Sequence, residues 1–371
     1  MRTKGCVAMP YLDQLKALYR SGLKDRDRMV SGAPQPPMYL PGLHFPDDML
    51  REFHGCGSAV HPRDLYEGQS VAVIGIGSGL DAFELAYFTR RPGGVVAVEP
   101  VAEQIEVVRR HLQAAAEMND WFDPSFIDIR HGSALELPIE SESVDTVVQN
   151  CMFNVFHGHE LTAALDELHR VIKPRGRLLA SDPIAPRPMP EKLRTHARLE
   201  EICLNCCRTY EEYIAALVNA GFGAIEVRAR RPFRVLDTLR YDIISDIVLE
   251  VIEVAAIRTP VPTDGACIFA GRTATYVGPE DEFRDAFVHT LKTGIPLPIC
   301  EKTAEALTAL QRANLIITRP TWHYGGGNSA LCTDKCGVCG VVGETHKAAS
   351  SPASLTVRGL HNPSSPTSTQ L

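Results

Sequence analysis

The sequence predicts a doubly wound, Rossmann-like α/β fold on three observations. Apolar β-branched runs alternate with amphipathic helical patterns over residues 61–230, the first run ends in a glycine-rich turn, and an acidic residue closes the second run. Strands are expected at 71–74, 95–98, 126–130, 144–149, 177–181 and 224–228. Runs such as VAVI and VVAV have no polar alternation, as in strands covered on both faces of a parallel sheet. The intervening segments 81–88, 102–118, 160–172 and 210–220 repeat apolar residues at three- and four-residue spacing, the period of a helix with one buried face.

Ahead of this unit, residues 1–60 read as a loop-rich arm that wraps another domain. After a short amphipathic stretch at 11–19 comes SGAPQPPMYLPGLHFP, whose five prolines exclude a regular helix or a central strand. From 231 the pattern shifts to longer β-rich segments, DIVLEVIEVAAI and ACIFAGRTATYV, followed by the amphipathic CEKTAEALTAL, predicting a smaller α+β domain over 231–328. The Ser/Pro/Thr-rich residues 329–371 have too little apolar surface to offset their ordering entropy and are expected to be a flexible tail.

The chain has 371 residues, 38 basic against 45 acidic, a net charge of −7 that argues against nucleic-acid binding as its main business. No apolar run approaches the roughly 18 residues of a membrane span. The N-terminus lacks the apolar core of a secretory signal. A cytoplasmic monomer acting on a small molecule, without membrane partner, is the expectation, and its eleven cysteines should then be mostly thiols.

The first strand runs into Gly75-Ile76-Gly77-Ser78-Gly79-Leu80, and twenty residues after Gly79 stands Glu99, placed to accept hydrogen bonds from two ribose hydroxyls. A dinucleotide fold would place glycine where Leu80 stands; the GxGxG form suits S-adenosylmethionine, which has no pyrophosphate. Ser133 and Ala134 follow the third strand on the expected adenine side, and Gln149 ends the fourth, facing the sulfonium region. The cofactor set is thus Gly75, Gly77, Gly79, Glu99, Ser133, Ala134 and Gln149.

Three cysteines fall near that site by chain position. Cys151 lies just past the fourth strand, where ligands of open α/β sheets bind; Cys203 lies beyond the fifth, and Cys56 sits between glycines in the arm. They lie 95 and 52 residues apart, without the close CxxC or HxxxH pair usual for structural zinc, so no resident metal is expected. Converging thiols suit a soft trivalent ion, and arsenic(III) carries a lone pair opposite its three ligands.

In LPGLHFPDDMLREFHGCGSAVHPRDL, QNCMFNVF, SDPIAPRPMPEKLR, YEEYIAALVNAGFGAIEVRARRPFRVLD and TWHYGGG, the chain resembles the arsenite S-adenosylmethionine methyltransferases, most closely the arsenosugar-biosynthesis branch. The resemblance covers residues 38–327 and implies a class I methyltransferase domain with Cys56, Cys151 and Cys203 as arsenic ligands. It also implies arsenite or its glutathione conjugate as substrate, and glutathione or thioredoxin as external reductant. This chain lacks the arm cysteine that many members carry before GCG, and has Ser133 where an acidic residue is common. Cys206 and Cys207 are alternatives to Cys203, Cys332, Cys336 and Cys339 form a candidate thiol relay, and Cys267 and Cys300 read as structural. An arsenic lone pair needs no general base, so His54, His61 and His157 read as surface or packing residues. Two rival readings are methylation of a carbon or oxygen acceptor, which needs a base and an apolar tunnel, and arsenic binding without turnover.

Overall fold

The computed structural model describes residues 10–22, 40–66, 68–286 and 289–321. Cys6, most of TWHYGGG, and the tail over 329–371 with Cys332, Cys336 and Cys339 lie outside them. The main sheet contains β1 (Val71–Ile74), β2 (Val95–Glu99), β3 (Ile127–His131), β4 (Val144–Asn150), β5 (Ile172–Ile184), β6 (Ala224–Leu236), β7 (Ile247–Ile257) and β8 (Cys267–Phe269). Its spatial order is β3-β2-β1-β4-β5-β7-β6-β8, with β1 to β5 parallel and β7 antiparallel to both neighbours. The order reverses between β1 and β4, and such a switch point leaves a crevice outside the carboxyl ends of the strands.

The helices are α1 (Tyr11–Gly22), α2 (Asp47–Arg51), α3 (Leu80–Thr89), α4 (Ala102–Met118), α5 (His159–Val171), α6 (Glu191–Arg194), α7 (Ala197–Glu201), α8 (Tyr210–Asn219), α9 (Thr238–Tyr241) and α10 (Glu301–Ala309). Alternation along β1 explains why both faces must be covered. Val71 and Val73 pack with Phe83 of α3 and Val108 and Leu112 of α4, whereas Ala72 and Ile74 pack with Leu165 and Leu168 of α5 and Leu217 of α8. Each fully buried Val, Leu or Ile contributes roughly 1.5–3 kcal/mol. Helix α8 begins at a reciprocal cap: Thr209 Oγ1 accepts from the Glu212 amide at 3.2 Å, and Glu212 Oε2 accepts from the Thr209 amide at 2.9 Å.

The arm straddles the sheet. Met49 of α2 and Phe53 enter the core on the α3/α4 face, while Tyr11 and Leu18 of α1 enter the core on the opposite face. The stretch Gly55-Cys56-Gly57 is thereby drawn against the carboxyl ends of β4 and β5, where Asn150 and Ser181 stand. Side chains have no room there: a Cβ at 55 would lie 2.8 Å from Asn150 Cγ, and one at 57 would lie 2.6 Å from Ser181 Oγ.

The domain break expected at 231 falls inside β6, and the segment DIVLEVIEVAAI does not open a second domain. It becomes β7, inserted between β5 and β6, pairing Arg177 with Ile257 through to Ile184 with Glu250 on one side. The compositional change at 231 reflects the half-exposed outer part of β6 rather than a chain boundary. ACIFAGRTATYV also divides. Its first part is edge strand β8; after Gly271, at φ +70°, its second part is β9 (Arg272–Tyr276). β9 is the centre of a three-stranded sheet with β12 (Leu297–Ile299) and β13 (Leu315–Ile317), beside the hairpin of β10 (Glu282–Arg284) and β11 (Thr290–Lys292).

Candidate active site

The crevice at the β1/β4 switch point holds a cavity lined by β1, the arm and α1. Residues 75–78 form its floor, with Val98 and Pro100 beside them. Gly75 and Gly77 have φ of +78° and +55°, a left-handed backbone that disfavours residues bearing a Cβ. No atom lies within 4 Å of where a Cβ at 77 would be, so the backbone is bare toward the cavity. The turn is anchored from α4: Gln104 Nε2 donates to the Gly77 carbonyl at 2.7 Å, and His111 Nδ1 lies 2.9 Å from the Ser78 carbonyl oxygen. Gly79 does not line the cavity. It caps α3 at φ +89°, where a Cβ would stand 3.0 Å from Val108 Cγ1, so its role is helix packing.

Glu99 is fully buried at the end of β2 and accepts from the Val101 amide at 3.0 Å and the Tyr19 hydroxyl at 3.1 Å. Burial pushes its pKa up to about 7, against hydrogen bonds that favour the carboxylate. Ala134 lines the cavity; Ser133 lies beside it, with its hydroxyl hydrogen-bonded to Tyr11 and to the Leu135 amide. Gln149 is not on the cavity wall. Its amide is committed to Asp182 and to the Met152 N–H, and the neighbouring Asn150 takes the wall position. Strand alternation decides this, since successive side chains point to opposite faces.

The three predicted cysteines come to one neighbourhood. Cys151 and Cys203 line the cavity, and Cys56 lies close enough to Cys151 to raise its pKa. Asn150 ties Cys56 in place: its Oδ1 accepts from the Cys56 amide at 3.1 Å and its Nδ2 donates to the Gly57 carbonyl at 2.8 Å. Cys151 and Cys203 both have left-handed backbones, with φ of +64° and +57°. Non-glycine residues rarely sit there, and such strain gathers at functional sites. The neighbouring Cys56 thiol and burial hold Cys151 well above the usual thiol range, and burial pushes Cys203 up to about 12. At neutral pH both are thus protonated. Among the described residues no three His, Cys, Asp or Glu side chains are already gathered as a metal cage.

The ambiguity around Cys203 narrows. Cys206 is disulfide-bonded, while the other six described cysteines are free thiols. Cys207 is buried away from the cavity wall and accepts from Asn154 Nδ2 at 3.6 Å.

Several wall residues were not anticipated. α1 covers the cavity with Tyr11, Leu15, Leu18 and Tyr19, and its Gln14 reaches the Glu200 carbonyl at 3.1 Å and His157 at 3.0 Å. Asp81, in the first turn of α3, faces the cavity with its pKa raised to about 6 by burial. Its place directly after the glycine turn was the available signal. His54, expected on the surface or in packing, lines the cavity instead, with both ring nitrogens buried and lacking hydrogen-bond partners.

Comparison with known proteins follows this geometry. A family described as a methyltransferase domain matches residues 72–180, which span β1 to β5 and hold the glycine turn, Glu99 and Cys151. The fold is that of a class I methyltransferase domain. Its cofactor is S-adenosylmethionine, and a bare glycine turn with the buried carboxylate of Glu99 nearby fits that ligand. The methyltransferase is 29% identical over 266 residues to an arsenite methyltransferase of Aquipseudomonas alcaligenes, covering 69% of this chain and 74% of that one. It is 30% identical over 179 residues to the human arsenite methyltransferase, covering 47% of this chain and 46% of that one. The chain therefore spans three quarters of the bacterial relative but about half of the human one. The crystal structure of an arsenic(III) S-adenosylmethionine methyltransferase from Chlamydomonas reinhardtii shares the fold, with a TM-score of 0.53 and 24% identity over 76% of this chain and 96% of that one. The resemblance to arsenite methyltransferases is borne out, without marking the arsenosugar branch.

Proposed function

We propose that this methyltransferase methylates arsenic(III) held by Cys56, Cys151 and Cys203. The observation that carries the reading is the placement of Cys151 and Cys203 in left-handed backbone on the wall of the cofactor cavity, with Cys56 beside them. S-adenosylmethionine, when bound, supplies an electrophilic methyl on a sulfonium, which suits a lone-pair acceptor with no proton to lose. Glu99 accepts the ribose hydroxyls, Ala134 flanks the adenine, and the backbone of Gly75 and Gly77 lies against the amino-acid portion.

Arsenite enters by exchange at the thiols: each S–H and As–OH pair becomes an As–S bond and a water. Once bound, arsenic is held by the strained turns at Cys151 and Cys203, and the protein's contribution is chiefly alignment. Each transfer consumes the arsenic lone pair, so a further round needs two electrons, supplied by an external thiol such as glutathione or thioredoxin. The product serves detoxification or as an arsenosugar precursor.

The test is incubation of purified protein with arsenite, S-adenosylmethionine and thiol, with products separated and detected by arsenic-specific mass spectrometry. Mono- or dimethylated arsenic is expected. Its absence from protein shown to bind the cofactor overturns the reading.

A further inference from the structure

Gln149 turns away from the cavity and is fully buried together with Asp182 of β5. Both spend their hydrogen bonds on the turn that carries Cys151. Three consecutive amides there find acceptors at the ends of β4 and β5. Cys151 N donates to the Ser181 carbonyl at 2.6 Å, Met152 N to Gln149 Oε1 at 3.0 Å, and Phe153 N to Asp182 Oδ1 at 3.0 Å. Gln149 Nε2 in turn donates to Asp182 Oδ2, which also accepts from the Tyr213 hydroxyl at 2.7 Å. Arg208 grips the other end of the same turn, donating to the Phe153 and Phe156 carbonyls at 2.9 and 2.8 Å.

These groups form a closed set in which no donor meets a donor. The carboxylate of Asp182 offers acceptors only, and it faces one N–H of the backbone, one of Gln149 and one hydroxyl. That fixes the Gln149 amide with its oxygen toward the Met152 N–H. A buried carboxylate is costly to house, and this one is committed to the backbone on either side of a residue held at φ +64°. The same end of β5 also serves a second thiol, since Ser181 Oγ lies 3.6 Å from Cys56 Sγ. We infer that Gln149 and Asp182 are positioning residues that clamp the Cys151 turn, and so set the direction from which its sulfur meets arsenic, rather than contacts to the cofactor. The inference rests on the proposed function, and it asks for no proton transfer by either side chain.

The test compares wild type, Gln149→Met, Asp182→Asn and Tyr213→Phe. Gln149→Met keeps the length and bulk of the side chain but loses both hydrogen bonds. Asp182→Asn puts a donor among donors: whichever way the carboxamide turns, it opposes an N–H of Gln149 or of Phe153, and a Gln149 turned to relieve this confronts the Met152 N–H. Tyr213→Phe leaves both amide acceptors in place. Arsenic K-edge X-ray absorption, on protein reduced with a phosphine and free of small thiols, counts the sulfurs on bound arsenic. Wild type and Tyr213→Phe should show three. Gln149→Met and Asp182→Asn should show two sulfurs and an oxygen, with arsenite Kd raised about tenfold and kcat lowered about tenfold. Cofactor Kd should stay within about twofold throughout, which a general loss of structure would not allow. If Asp182→Asn does not fold, Gln149→Met decides alone. Three sulfurs retained in Gln149→Met, a loss concentrated in cofactor affinity, or an equal loss in Tyr213→Phe would each overturn the assignment. Fewer than three sulfurs in wild type would overturn the proposed function instead. The clamp is then judged by alkylation of Cys151 with iodoacetamide in arsenic-free protein, which Gln149→Met should speed about fivefold and which an unchanged rate would refute.

Discussion

Replacing Glu99 with Gln separates what the carboxylate costs the fold from what it gives the site. In the unfolded chain this carboxyl titrates near 4.5, and in the folded protein burial raises it to about 7. Below pH 4.5 both states are protonated and the group carries no ionisation penalty. As pH rises, the unfolded chain ionises first, so folding stability falls through the window from 4.5 to 7 and then levels off. At 1.36 kcal/mol per pKa unit the full penalty is about 3 kcal/mol. The carboxamide that E99Q introduces is uncharged at every pH and can still accept from the Val101 amide. Urea denaturation of the cofactor-free protein should therefore show E99Q gaining about 2–3 kcal/mol on wild type at pH 8 relative to its standing at pH 5. The same substitution removes the charged acceptor proposed for the ribose diol, where such bonds are worth roughly 1.5–3 kcal/mol, so calorimetry should show cofactor affinity down about 10- to 100-fold. A stability difference independent of pH, or cofactor binding undiminished in E99Q, would refute the reasoning.

Gly79→Ala should destabilise by about 2–4 kcal/mol in thermal or chemical unfolding, because it joins left-handed strain to a collision with Val108, whereas Gly77→Ala should cost about 1–2 kcal/mol but weaken cofactor binding more. Equal effects on stability would sink this division of labour. Cys203→Ser should abolish arsenite methylation while Cys207→Ser retains most of it, since a hydroxyl can replace the thiol as acceptor for Asn154; the reverse pattern in product analysis would reassign the ligand. Asp64, 1% exposed, holds Arg228 through both oxygens and Arg177 at 3.0 Å. Asp64→Asn should cost about 1.5–3 kcal/mol in denaturant unfolding by weakening the charge-assisted bonds to Arg228, which keeps Glu226 as its remaining carboxylate partner, with cofactor Kd unchanged in the folded fraction; a change under about 1 kcal/mol would show the network to be dispensable.

What could be read from the chain alone was whatever neighbouring residues decide together. Apolar runs without alternation marked β1 and β2, helical spacing marked α4, and GxGxG marked a turn that needs left-handed backbone; all three recur in the structure within a residue or two. The same local signals named Cys56, Cys151 and Cys203 as candidates. Tertiary structure decided the matters that depend on what lies opposite. Periodicity shows that β7 is buried but not that it slots between β5 and β6, a pairing made by contacts some seventy residues apart. Gln149 and Asn150 are equally polar neighbours, and only the direction of the pleat tells which one faces the cavity. Tyr19 reaches Glu99 across 80 positions, and His54 becomes a wall residue only once the cavity around it exists. A residue's own sequence neighbourhood determines whether it turns, extends or coils, while its chemistry is set by groups that folding brings from elsewhere, whose identity no local pattern encodes.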